Sequence, residues 1–271
     1  MNKKFLSLFV IYTMIFSSCN TAMNTDTTSE SQSTLATTTQ SVSQNTSQPD
    51  IIFTTFDVNK KYYNNDSSGF VELDLKLPRL QGDYDGIAEI NSFFVGKEEF
   101  FYNQLPIDFF ELNEKVEGKK DNFYRSAYYN FEVQLGNIIS VSGFLDGGAG
   151  GVGWGGIEGD TFDLNTGKKL TLSDIFNVGE DKYLKFIYDF VSEKIMDDIK
   201  AGKDLYLFED AYSGDGYEEI RKFNPDNFFL TKTSLVVFYE KYALAIGAAG
   251  PQKYEIPYES ILNILAIDIG K

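Results

Sequence analysis

The chain has 271 residues, 40 acids against 24 bases for a formal charge of −16, 42% hydrophobic residues, one cysteine and no histidine. The missing histidine removes Ser-His-Asp and Cys-His catalysis and every zinc site built on imidazole. The charge repels nucleic acid, anionic lipid and anionic wall polymers while speeding encounter with a cationic protein, and a lone cysteine leaves no internal disulfide, so stability has to come from core burial, which this length permits.

From the start of the chain, Lys3 and Lys4 precede an apolar run over residues 5–16, followed by Ser17-Ser18-Cys19. A run of that length is too short to span a bilayer, which takes ~20 residues, and the order of basic, apolar and small residues is that of an export signal. Phe16-Ser17-Ser18-Cys19 resembles a lipobox with Phe in place of Leu, so residues 1–18 are expected to be a lipoprotein signal peptide and Cys19 the acylated residue. Its removal takes away two lysines and no acid, and the charge moves from −16 to −18. Residues 19–50 are rich in Ser, Thr, Gln and Asn and are expected to be a disordered tether. Such a tether spans roughly 30 Å on average and about 100 Å at full stretch.

At Ile51 the composition turns aromatic and aliphatic. Val71, Leu73, Leu75 and Leu77 alternate with Glu72, Asp74 and Lys76, which predicts an amphipathic strand. Ile87, Ile90, Phe93 and Phe94 recur at helical spacing, with the face extending toward Leu105 and a stop at Pro106. Residues 124–135 and 138–145 flank Gly136-Asn137 as a hairpin, and residues 157–164 resume a strand. Between these strands residues 147–156 read as a flexible glycine loop carrying Trp154, the only tryptophan. Asn165-Thr166-Gly167 predicts a three-residue hairpin turn with Gly167 left-handed, braced by Asp163, and Ser173 is the expected N-cap of a short helix through Phe176. Tyr183, Phe186, Ile187, Phe190, Val191, Ile195 and Ile199 form the best helical stripe of the chain, ended by Gly202. Residues 228–230 and 235–239 predict a second hairpin, and residues 253–257 a last extended segment. The expected fold is α+β, an antiparallel sheet with helices packed on it. It forms one unit with two motif-defined halves, 51–165 and 166–271.

Short motifs in order, Gly147-Gly148-Ala149, Phe162-Asp163-Leu164 with Thr166-Gly167-Lys168, and the segments 170–176, 228–231, 236–251 and 255–258, resemble the RsiV-type extracytoplasmic domain family. That family comprises the lysozyme-binding region of anti-sigma-V factors and the non-catalytic region of PdaC-type peptidoglycan deacetylases. The likeness extends more weakly back to about Gly69. It departs where the family often reads GGAH and this chain reads Gly148-Ala149-Gly150, so any role of that histidine is missing here. The resemblance implies a module that binds a basic muramidase such as lysozyme, without a deacetylase domain.

Other motifs fail on context. Gly151, Gly153 and Gly156 match G-x-G-x-x-G, but a strand rather than a helix follows, and Gly167-Lys168 lacks both the first glycine and the Ser or Thr of a phosphate loop. Asp146, Glu158, Asp160 and Asp163 are carboxylates a glycan hydrolase would need as a pair, in a chain where acids are common. Asp210, Asp215 and Glu218 depart from calcium-loop spacing and read as a solvated acidic loop. The reading is therefore a lipid-anchored, exported, non-enzymatic binding module with no metal or cofactor and no nucleic-acid partner, meeting the membrane only through its anchor. Its partner is a basic wall-acting protein such as lysozyme, with peptidoglycan the alternative ligand. Expected partner-binding residues are Trp154, Gly148, Gly150, Tyr242, Gly250 and Pro251, two clusters that would form one surface if they lie at the same end of the sheet.

Overall fold

The computed structural model describes residues 39–41, 51–63, 69–101, 122–149, 152–203, 207–208 and 218–270. Residues 1–18, expected to be a signal peptide, Cys19, Gly150, Asp210 and Asp215 lie outside the described residues, as does the Trp154 side chain.

The large sheet has six strands in sequence order: β1 (Thr39–Ser41), β2 (Ile52–Tyr63), β3 (Phe70–Gln81), β4 (Phe123–Leu135), β5 (Ile138–Ala149) and β6 (Val152–Asp163). All neighbours are antiparallel except β3 and β4, which run parallel. A parallel pair needs a crossover, and helix α1 (Ile87–Glu99) lies in it. Three residues of the segment expected to be unstructured, Thr39–Ser41, instead pair with β2.

On β3, Val71, Leu73, Leu75 and Leu77 are fully buried, and α1 covers this inner face with Ile90 and Phe94. The Asn91 side chain fixes the helix to the sheet: its Oδ1 accepts from Leu80 N–H at 2.8 Å and its Nδ2 donates to Leu80 O at 2.9 Å. At the start of α1, a Cβ on Gly86 would come within 2.1 Å of the Gly167 backbone nitrogen, so only glycine lets the helix meet the 164–167 turn. Gly167 has φ +73°, as expected, and Asp163 Oδ1 accepts from Thr166 N–H and Oγ1–H at 2.8 and 2.9 Å, bracing that turn.

The second sheet is antiparallel: β7 (Phe228–Leu230), β8 (Ser234–Tyr239) and β9 (Gln252–Pro257). Helix α2 (Leu172–Ile175) precedes α3 (Glu180–Lys200), and the short helices α4 (Glu218–Arg221) and α5 (Tyr258–Ile261) flank the sheet. The N-cap of α2 is Thr171 rather than Ser173: Thr171 and Asp174 form a reciprocal capping box, which uses the three-residue spacing that Ser173 lacks. Tyr183, Ile187, Val191 and Ile195 of α3 bury one stripe against this sheet, and left-handed Gly202 follows the helix end.

Val133, Leu135 and Ile138 of the β4–β5 hairpin belong to the C-terminal core. The other face of the small sheet, Phe229, Val236 and Phe238, packs on Ile157 of β6. At Gly159 a Cβ would fall 1.9 Å from Phe228 O, so a glycine in β6 is what allows β7 to lie this close. Buried Ser140 completes the join, accepting from Leu230 N–H at 2.9 Å and bonding Thr161 Oγ1 at 2.8 Å. The architecture is α+β with helices packed on mostly antiparallel sheet.

The glycine loop is a correction. Residues 147–149 and 152–156 are strand, with β5 and β6 in unbroken register from Ile138↔Asp163 to Ala149↔Val152. Trp154 is paired with Gly147 and its backbone is no floppy arm. Continuous ladder pairing outweighs the weak strand preference of glycine.

Candidate partner-binding site

Partners across a sheet share a face, so register sorts the acids that the sequence placed side by side. Asp146 pairs with Ser126 and Gly155, whereas Glu158 and Asp160 pair with Gly143 and Val141 on the α1-covered face. Asp146 is thereby separated by the sheet from Glu158 and Asp160. Asp163 serves the turn.

On the inner face Asp160 is 1% exposed and takes two lysines: Lys169 Nζ donates to its Oδ1 at 2.5 Å, and Lys97 Nζ stands 3.3 Å from its Oδ2. Lys97 also donates to Glu158 and, at 3.0 Å, to Tyr129 Oη, and the Tyr129 hydroxyl donates to Glu158. Burial by itself would lower the Lys97 pKa, but Asp160 and Glu158 together outweigh it and the net direction is upward. Burial, then the Glu158 and Asp160 charges, push the Tyr129 phenol far up, so it stays a neutral donor. Its ring lies over Gly143, where a Cβ would be 2.6 Å from Tyr129 Cε1. Beside this network runs an open groove of about 680 Å³ lined by Glu89, Phe93, Phe162, Lys168 and Lys169. Both carboxylates are engaged by ammonium groups, the arrangement of a structural ion-pair network.

The two glycine-bearing segments meet. Lys241 Nζ donates to Gly153 O at 3.3 Å, and a Cβ on Gly156 would be 3.7 Å from Glu240 Oε2. Gly148 is opposite Gly153 in the register. Tyr242 has φ 72° and is 63% exposed, its ring resting on Gly247, where a Cβ would be 2.2 Å from Tyr242 Cζ. Gly250, at φ +70°, and Pro251 follow, and the Gln252 amide ties this turn by donating to Ala249 O and Gly250 O at 3.2 and 3.0 Å. Burial raises the pKa of Glu240, with Asn227 opposing. The segment 240–251 and the β5–β6 tip therefore share one end of the molecule, and Gly148, Tyr242, Gly250 and Pro251 are placed there.

The outer sheet face carries residues the sequence reading did not single out. Tyr124 is 45% and Phe144 50% exposed, with Tyr128 paired to Phe144. The available signal was Phe144 itself, a large apolar residue on the side of β5 opposite Val141 and Leu145. Among the described residues, no group of three or more His, Cys, Asp or Glu is placed to hold a metal ion, and no helix is long and apolar enough to cross a membrane.

This fold is shared by proteins of one class. Residues 173–259 match the family model described as "Protein of unknown function (DUF3298)". The crystal structure of a DUF3298 family member from Bacteroides fragilis NCTC 9343 aligns with a TM-score of 0.58 at 17% identity, over 80% of this chain and 94% of that one. A DUF3298 family protein from Pseudomonas aeruginosa PAO1 aligns with a TM-score of 0.52 at 16% identity, over 80% and 97%. No curated protein matches the chain. At these identities the likeness is one of fold, and it reaches well beyond the segment matched by the family model.

Proposed function

We propose that the protein is an exported, lipid-anchored binding module that recognises a basic cell-wall-acting protein of the lysozyme type and carries out no catalysis of its own. The carrying observation is the formal charge of −16, which favours encounter with a cationic partner. The reading is supported by the coincidence of the DUF3298 match with the RsiV-like segments 228–231, 236–251 and 255–258, all inside residues 173–259. It is also consistent with the engagement of Glu158 and Asp160 by lysines.

The test passes the purified protein over immobilised lysozyme and over purified peptidoglycan at low and high salt. Saturable lysozyme binding whose association slows as salt rises is the expected result. Retention on peptidoglycan alone would replace this reading with a glycan-binding one, and turnover of peptidoglycan would replace it with an enzymatic one.

A further inference from the structure

We infer that Asp146, between the exposed rings of Tyr124 and Phe144 on the outer face of the large sheet, is the receptor for an arginine side chain of a basic protein partner. The inference rests on the reading just given and names the contact through which it would work.

Register puts Tyr124, Gly148 and Gly153 in one cross-strand row, Ser126, Asp146 and Gly155 in the next, and Tyr128, Phe144 and Ile157 in the third. Asp146 therefore lies one row from each exposed ring, within the reach of diagonal neighbours on a sheet. Its carboxylate takes part in no hydrogen bond or ion pair among the described residues, and the rings of Tyr124 and Phe144 meet no cation and no other ring there. The other aromatics of this face are already served: Lys61 Nζ stands 3.5 Å from the Phe70 centroid and Lys76 Nζ 5.9 Å from that of Tyr128. Glu72 pairs with Lys61 at 3.3 Å, and Asp74 accepts from the Tyr128 hydroxyl. Asp146, Tyr124 and Phe144 are what this arrangement leaves over.

The glycines beside them keep the approach open. A Cβ on Gly155 would sit 3.3 Å from Leu145 O and 3.5 Å from Asp146 Oδ1, and one on Gly153 would meet nothing closer than 3.7 Å, so β6 itself puts no side chain beside the carboxylate at these two positions. Lys241, a cation that reaches this end, is held on Gly153 O. Arg125, whose pKa burial lowers while Glu158, Tyr129 and then Asp146 oppose, feels the Asp146 charge but makes no ion pair with it among the described residues, standing in the alternate row with Gly147 on the α1 side of the sheet. A carboxylate flanked by aromatic faces selects a guanidinium over an ammonium, because the planar fork can pair with both oxygens while its face stacks on a ring.

The experiment measures binding of lysozyme, of a 10-residue arginine peptide and of the matching lysine peptide to the wild-type protein and to Asp146→Asn, Tyr124→Ala, Phe144→Ala and Glu259→Gln. Glu259 is an exposed acid on α5 and controls for charge alone. Thermal melts confirm that each variant is folded. The expected result is arginine-peptide binding tighter than lysine-peptide binding, weakened about tenfold by Asp146→Asn and about threefold or more by either ring truncation, with Glu259→Gln like wild type. Equal losses for Asp146→Asn and Glu259→Gln, or no loss for Asp146→Asn, would overturn the inference. If lysozyme binds wild type and Asp146→Asn alike, the inference falls and the proposed function stands. If lysozyme does not bind but the arginine peptide does so through Asp146, the proposed function falls and the receptor stands.

Discussion

Lys97 shows how a single residue can be legible and still be passed over. Ile87, Ile90, Phe93 and Phe94 define the helical face, and Lys97 continues it at seven residues from Ile90 and three from Phe94. A lysine on a buried stripe asks for a carboxylate, and Glu158 and Asp160 supply two, but that pairing spans more than 60 residues and is not visible in local spacing. Removing the cation leaves Asp160 with Lys169 alone and Glu158 with Tyr129. Lys97→Met is therefore expected to destabilise the fold by about 2 kcal/mol at neutral pH. The sign with pH follows from the raised pKa of Lys97: its contribution is complete below the ordinary lysine value of about 10.4 and is lost as pH rises through the higher folded value. Melting temperatures of wild type and variant should differ steadily from pH 7 to about pH 10 and converge above it. A constant difference into strongly alkaline solution would assign the loss to packing instead. Asp163 was readable, because Asp three residues before Thr166 is local turn chemistry.

At the scale of elements, those with strong periodicity emerged from the sequence with little change, β3, the β4–β5 hairpin and α3 above all. Strand β2 did not, since in IFTTFDVNKKYY only Phe53 and Val58 are buried, five positions apart, and no alternation announces a strand. The tip of β6 departs from its sequence pattern for the opposite reason. Its glycines look like a loop, yet at Gly159 glycine serves the close approach of β7. The parity of the register, which separates Asp146 from Glu158, exists only once that pairing is known. Helix α2 offers an element-level test. Thr171→Ala removes the N-cap of a four-residue helix whose Leu172 and Ile175 are buried, and should cost about 1 kcal/mol in denaturant unfolding, with Ser173→Ala nearly neutral. The reverse order of effects would restore Ser173 as the cap.

For the whole molecule, the proposed function makes charge and anchoring the features that would set where the protein works. Acylation of Cys19 would bury several alkyl chains at about 0.8 kcal/mol per methylene, enough for firm retention. Cys19→Ala is expected to move the protein from the membrane to the soluble fraction on cell fractionation. Equal retention of the two forms would refute acylation at that cysteine.

The seam between the sheets bears on where the chain can be cut. Leu230 N–H finishes on Ser140 Oγ, and Val133, Leu135 and Ile138 are each under 9% exposed because the C-terminal sheet and its helices cover them. A fragment trimmed to the family-model boundaries, 173–259, would discard that hairpin and also Leu265, whose neighbour Ala266 donates to Ile175 O at 2.8 Å. A fragment ending after Leu164 would bare the same three side chains to water. The limits of recognisable sequence are thus not the limits of a separable piece, and a natural truncation or an expression boundary drawn at either place would sever one continuous interior.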